Sequence, residues 1–217
     1  MSVPQPPFNY KATRFLVSAA RFDQCPPQPG LEVAFVGRSN VGKSSTLNAL
    51  TNNSRLARAS KTPGRTRLIN FFAVTDYHRL VDLPGYGYAR VSEATKKEWQ
   101  HELSAYMEQR SHLIGIVLLV DIRHPLKDVD QAVIQWAVSG QLPLHILLTK
   151  SDKLKRGASS QALRQLEQEL QAVATLISVQ LFSAHSGTGT QELADRLDSW
   201  FSGRQSREAV REQVALL

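Results

Sequence analysis

Residues 37–44 read Gly37-Arg38-Ser39-Asn40-Val41-Gly42-Lys43-Ser44, a match to G-x-x-x-x-G-K-[ST]. The stretch decides the fold because of what flanks it. The short apolar run Leu31–Val36 before it reads as a buried strand, and Ser44–Leu50 after it reads as a helix. Glycines let the backbone turn its N–H groups inward around phosphates, at a helix N-terminus whose partial positive charge favours anions. Lys43 is then expected to reach the β and γ phosphates, and the Ser44 hydroxyl to ligate a magnesium ion bridging phosphate oxygens.

Such a loop serves adenine and guanine nucleotides alike, so the base must be read elsewhere. Thr149-Lys150-Ser151-Asp152 ends the apolar run Leu142–Leu148 and so belongs at the carboxyl edge of the sheet, beside the loop. An aspartate there accepts from both N1–H and the exocyclic amine of guanine, a donor pair that adenine lacks. Asp152 therefore points to GTP or GDP as the ligand, and Ser183-Ala184-His185, after the last apolar run, can add backbone contacts to the base. Asp82-Leu83-Pro84-Gly85 closes the predicted strand Arg79–Leu83, placing a carboxylate to hold magnesium through water and a glycine N–H to sense the γ-phosphate. Between these motifs, Thr62 and Thr66 are both candidates to complete the magnesium shell.

Working outward, the apolar runs Leu31–Val36, Leu68–Val74, Arg79–Leu83, Ile114–Val120, Leu142–Leu148 and Ile177–Phe182 alternate with helical patterns near 93–110, 127–139, 159–173 and 189–201. That alternation predicts a three-layer α/β sheet. Residues 1–30, proline-rich at both ends with a patterned piece at Tyr10–Phe22, read as an arm packed on a domain at 31–202, with a helical or flexible tail at 203–217. Trp99, Trp136 and Trp200 sit where an indole anchors a helix to a sheet. The six histidines lack metal-ligand spacing.

A chain of 217 residues with 42% apolar and 21% charged residues suits one soluble domain. Its single cysteine, Cys25, cannot form an internal disulfide and fits a reducing compartment, so a cytoplasmic location is expected. The longest apolar stretch, Ile114–Val120, is too short to cross a bilayer, and Ser2 stands where myristoylation needs glycine, so no membrane association is expected. The net charge of +7 is uneven: residues 1–67 carry +8 and the remainder −1. Arg55, Arg58, Lys61, Arg65 and Arg67 follow one another with no intervening acid, which suits a polyanionic partner.

The strings GRSNVGKSS, KTPGRTRLINFF, DLPGYGYA, DIRHPLK and TKSD together resemble the EngB (YihA/YsxC) family of bacterial ribosome-assembly GTPases, related to TrmE and Era, over roughly residues 8–202. The resemblance implies a Ras-like G domain of the P-loop NTPase class: a mostly parallel six-stranded sheet with one antiparallel edge strand and helices on both faces. It implies nucleotide contacts at Gly37–Ser44, at Gly64, Arg65, Thr66, Arg67 and Leu68, at Asp82–Gly85, at Thr149–Asp152, and at Phe182, Ser183 and Ala184. It assigns magnesium to Ser44 and Thr66, and sets Lys43, Thr66 and Gly85 at the reacting phosphate. The implied partner is the large ribosomal subunit, through its RNA or proteins, bound by a monomer whose role supports growth, cell division and septation.

Two departures from the wider GTPase pattern bear on rate and specificity. Many GTPases place a glutamine directly after D-x-x-G to orient the attacking water. Tyr86 stands there instead, which predicts slow intrinsic hydrolysis, and Asn40 suggests potassium as the added stimulant. Thr149 replaces the more usual asparagine and makes fewer hydrogen bonds, so moderate affinity is expected with selectivity kept by Asp152. Arg123-His124-Pro125 either faces the switch segments or simply starts a helix. The rival functions are a nucleotide kinase, which leaves Thr149–Asp152 unexplained, and a G protein serving another RNA or a membrane.

Overall fold

The computed structural model describes residues 8–57, 68–86, 103–124 and 126–203. Seven strands form one sheet: β1 (Arg14–Ala19), β2 (Leu31–Gly37), β3 (Ile69–Ala73), β4 (His78–Asp82), β5 (Leu113–Asp121), β6 (Leu144–Thr149) and β7 (Ile177–Leu181). Their order is β1-β3-β4-β2-β5-β6-β7. β2, β4, β5, β6 and β7 pair in parallel, and β3 runs antiparallel to both β4 and β1. The α/β class and the mostly parallel sheet agree with the sequence reading. The count is seven rather than six, because Arg14–Ala19, read as part of the arm, pairs along β3 and moves that antiparallel strand one place in from the edge.

Each central strand follows from its composition. Every residue of β2, β5 and β6 is buried, as expected of parallel strands covered on both faces. The helices are α1 (Lys43–Thr51), α2 (103–109 as described), α3 (Asp128–Ser139), α4 (Arg156–Glu169) and α5 (Thr190–Gly203). α1 and α5 cover one face through Leu47, Leu193, Leu197, Trp200 and Phe201. Tyr106, Val133, Ile134 and Leu166 of α2, α3 and α4 cover the other. Trp200 anchors α5 as expected, and a glycine is required beneath it: a Cβ on Gly115 would stand 2.6 Å from the indole. Trp136 packs partly buried against the opposite face, and Trp99 lies outside the described residues.

At the lower pole the sheet holds a charge. Glu32, in β2, is fully buried and accepts from Arg79 Nη1 (3.0 Å), from Arg110 Nη2 and Nε (2.6 and 2.8 Å) and from the Tyr106 hydroxyl (2.9 Å). The same guanidiniums donate onward to the carbonyls of Pro26, Gln28 and Pro29, tying the proline-rich segment to the domain. Tyr10 adds a second tie by donating to Asp198 Oδ1 of α5 at 2.7 Å.

The upper, carboxyl edge is where the strands deliver their loops. β2 lies between β4 and β5, so the segment after Gly37 emerges where connections leave the sheet in opposite directions, the crevice in which open α/β sheets bind ligands.

Candidate functional site

The loop starting at Gly37 folds through two residues in the left-handed region, Asn40 (φ 61°) and Gly42 (φ 111°), the latter immediately before α1. Gly37 itself sits tight: an added Cβ would stand 2.7 Å from the Leu119 carbonyl and 2.9 Å from Val41. Val41 is buried, while Arg38, Ser39, Gly42, Lys43 and Ser44 are half-buried along the rim. Lys43 begins α1, its Nζ 3.5 Å from Gly37 O, and Ser44 follows in the first helical turn.

Asp82 ends β4 directly beside the loop, with Leu83 N donating to Phe35 O of β2 at 3.1 Å. Asp82 Oδ1 is shut off from solvent and has no hydrogen-bond partner among the described residues. Burial raises its carboxyl above the usual carboxylate range, and the nearby Lys43 ammonium offsets part of that rise. Leu83 and Pro84 are buried, and Gly85 rests on the loop: a methyl group there would stand 3.0 Å from Lys43 Nζ and 3.2 Å from Ser39 N. Tyr86 continues across it, its carbonyl accepting from Ser39 N at 2.7 Å and its N–H pointing to Gly37 O at 3.4 Å.

The Thr149–Asp152 loop is tied to the same place. Thr149 is buried, and its hydroxyl lies 2.8 Å from Val41 O and 3.1 Å from Val120 O, so the side chain holds the two loops together. Lys150 Nζ donates to Asn40 O at 2.8 Å and pairs with Asp121 Oδ2 at 3.0 Å. Ser151 N donates to Phe182 O at 3.1 Å. Asp152 Oδ1 accepts from the Ser183 hydroxyl at 2.7 Å, and Oδ2 pairs with Lys153 at 3.0 Å. The Ser183 hydrogen bond and then Lys153 hold the Asp152 carboxyl below its usual range, so it is ionised at neutral pH.

A cleft of about 700 Å³ opens between α1 and these loops, lined by Thr149, Lys150, Asp152, Phe182, Ala184 and His185 and, on the loop side, by Gly42. The fold thus assembles Gly37–Ser44, Asp82–Gly85, Thr149–Asp152 and Phe182–Ala184 at one end of the sheet. Leu68, exposed, stands just ahead of β3. Thr62, Gly64, Arg65, Thr66 and Arg67 lie outside the described residues, as does Pro125.

Two residues matter here that motif reading passed over. Asp121 closes β5 and is held well below the usual carboxylate range by Arg123 and then Lys150, so it braces the lysine that grips Asn40. Its signal was an acid ending an apolar strand at the carboxyl edge. Asp130, wholly buried in the first turn of α3, accepts from Lys127 N (3.0 Å) and the Tyr86 hydroxyl (2.5 Å) and lies 3.7 Å from Arg38 Nε. Its signal was weaker: an acid at the third helical position reads as a helix cap. Arg38 also donates to His124 O at 2.9 Å, so the segment after β5 does meet the loop.

Comparison with known proteins matches residues 32–150 to the family described as 50S ribosome-binding GTPase. The probable GTP-binding protein EngB of Coxiella burnetii (strain CbuK_Q154) is 51% identical over 193 residues, 89% of this chain and 94% of its own length. That of Mannheimia succiniciproducens is 53% identical over 194 residues, 89% and 95% of the two chains. A crystal structure of a probable GTP-binding protein EngB superposes with a TM-score of 0.65 at 23% identity, covering 80% of this chain and all of the other.

Proposed function

Because the chain belongs to the EngB family of GTP-binding proteins and carries its GTPase domain, we propose that it is a nucleotide-controlled switch acting in assembly of the large ribosomal subunit, with slow GTP hydrolysis as its timer. One observation carries the reading: an ionised Asp152, clamped by Ser183 and Lys153, lines the same cleft as Val41 and Gly42 of the glycine-rich loop. A guanine base in that cleft donates to Asp152 from N1–H and the exocyclic amine, Ser183 and Ala184 supply backbone contacts, and the phosphates run to Gly37–Ser44 and the start of α1. The kinase reading gives no role to this carboxylate.

The oxygens at the phosphate end suit magnesium. Asp82 Oδ1 is buried without a partner among the described residues, and a hard divalent cation takes carboxylate, hydroxyl and water oxygens. Ser44 and Thr66 would hold the ion, with Asp82 through water, and when bound it offsets charge on the phosphates. Lys43 does the same from the protein, and Gly85 offers its N–H to the γ-phosphate. Water attacks the γ-phosphorus in line, the bond to the β–γ bridging oxygen breaks, and GDP and phosphate leave. Tyr86 stands where many GTPases carry the water-orienting glutamine, and its phenol lacks the amide that does this, which supports slow hydrolysis. Asn40 supports a stimulating potassium ion, and equal rates in potassium and sodium would remove that part.

The matched family's description as ribosome-binding and the +8 charge of residues 1–67 support a large-subunit partner, contacted by a cytoplasmic monomer and linked through ribosome supply to growth, division and septation. Among the described residues no helix is long and apolar enough to cross a membrane. A co-sedimentation experiment tests base and target together. The wild type should travel with large subunits in a non-hydrolysable GTP analogue and not in GDP. Asp152→Asn should do so with the xanthosine analogue instead. Unchanged GTP preference in the variant would remove Asp152 from base reading, and equal binding in GTP and GDP states would remove the switch.

A further inference from the structure

Gly85 and Tyr86 lie across the loop where a third phosphate would have to enter. Ser39 N–H is bonded to Tyr86 O, and a methyl group on Gly85 would already touch Lys43 Nζ at 3.0 Å. Lys43 Nζ, the end of a flexible side chain, can swing aside, but the Ser39 backbone, 3.2 Å from a methyl group on Gly85, cannot. A phosphoryl group, whose oxygens need about 2.8 Å to each donor, therefore enters between Lys43 and Gly85 only when the 85–86 backbone lifts from Ser39.

The side chain of Tyr86 decides how readily that backbone lifts. The residue is 2% exposed, and its hydroxyl donates to Asp130 Oδ1 at 2.5 Å. Asp130 cannot follow, because its other oxygen accepts from Lys127 N at the start of α3 and faces Arg38 Nε at 3.7 Å. A fixed, wholly buried carboxylate thus holds the residue that follows the γ-phosphate-sensing glycine, over 40 residues away in sequence.

We propose that Asp130 is a positioning residue that sets the division of affinity between guanosine di- and triphosphate, by latching Tyr86 in an arrangement that admits the diphosphate and excludes the third phosphate. This rests on the reading of Gly37–Ser44 as the phosphate loop. The triphosphate binds only after the Tyr86–Asp130 hydrogen bond breaks, while the diphosphate leaves it intact. Breaking it in advance therefore favours the triphosphate, and strengthening it favours the diphosphate.

Tyr86→Phe removes the hydroxyl and keeps the buried ring. Fluorescent GDP and a fluorescent non-hydrolysable GTP analogue are titrated into wild type, Tyr86→Phe and Asp130→Asn, and the ratio of the two dissociation constants is compared. The ratio should move toward the triphosphate by about tenfold in Tyr86→Phe, the size of one charge-assisted hydrogen bond, with GDP affinity changed less than about twofold. Asp130→Asn should move it the same way. If that variant does not fold, Tyr86→Phe decides alone. An unmoved ratio, a shift toward GDP, or a parallel loss of both affinities overturns the latch. A wild type that binds neither nucleotide overturns the phosphate-loop reading instead.

Discussion

Two carboxylates sit within neighbouring parallel strands of one sheet, and the chain treats them oppositely. Glu32, at the lower pole, accepts four hydrogen bonds from Arg79, Arg110 and Tyr106. Asp82, at the upper edge, keeps a buried oxygen without a partner among the described residues. Burying a charge is costly unless it is paired and hydrogen-bonded. The lower site meets that cost within the fold and is complete. At the upper site Lys43 offsets only part of the burial cost of the carboxylate, and a bound cation would offset the rest, which is how a stabilising charge differs from a working one.

The largest effect expected from breaking this contrast is at Glu32. Glu32→Gln leaves the Arg79 and Arg110 guanidiniums buried without a counter-charge, and losing one member of such a group costs about 3–5 kcal/mol. Urea unfolding should show that fall, while nucleotide affinity per folded molecule stays near wild type. A stability loss under about 1 kcal/mol would mean that the guanidiniums find water or other acceptors, and Glu32 would lose its place as the structural member of the pair.

Asp82→Asn should do the reverse. The amide keeps the shape and removes a charge that burial already disfavours, so urea stability should hold or rise. Magnesium-dependent GTP hydrolysis should fall on the order of 100-fold. Intact hydrolysis together with reduced stability would put Asp82 beside Glu32 as a structural acid.

The sequence displays the upper site better than the lower one. Motifs at Gly37–Ser44, Asp82–Gly85 and Thr149–Asp152 are contiguous strings at strand ends, and placing strand ends together needs only the alternation of strands and helices. Glu32, Arg79 and the pair Tyr106 and Arg110 come from three separate segments, and no local pattern says that the three meet. A lone acid inside the run Leu31–Val36 demands partners, but which ones is a property of the folded chain. The strand β1 was hidden for a related reason. Its pairing partners lie 50 to 59 residues away, and Phe15, Leu16 and Val17 remain 36–53% exposed, so Arg14–Ala19 lacks the burial pattern that marks the central strands. Asp130 was readable as a helix cap, whereas its grip on Tyr86 needed the tertiary structure.

His145 supplies a third case, a buried titratable group kept neutral. Gln180 donates its amide N–H to Gly189 O at 2.8 Å, which leaves Oε1 to accept from His145 Nε2–H at 2.7 Å. His145 Nδ1 then accepts from the Ser178 hydroxyl at 2.7 Å, so the neutral ring has both nitrogens satisfied. Burial pushes its pKa from 6.5 down to about 4. Between those values the unfolded chain binds a proton that the folded chain refuses. The stability this histidine contributes is complete above pH 6.5 and is lost as pH falls toward 4. From pH 7 to pH 5 the wild type should lose on the order of 2 kcal/mol more than His145→Gln, measured by urea unfolding at each pH. Parallel pH profiles would show that the site accepts the imidazolium, and would break the rule drawn from Glu32 and Asp82, that this interior tolerates charge only where a counter-charge is built in or brought by a ligand.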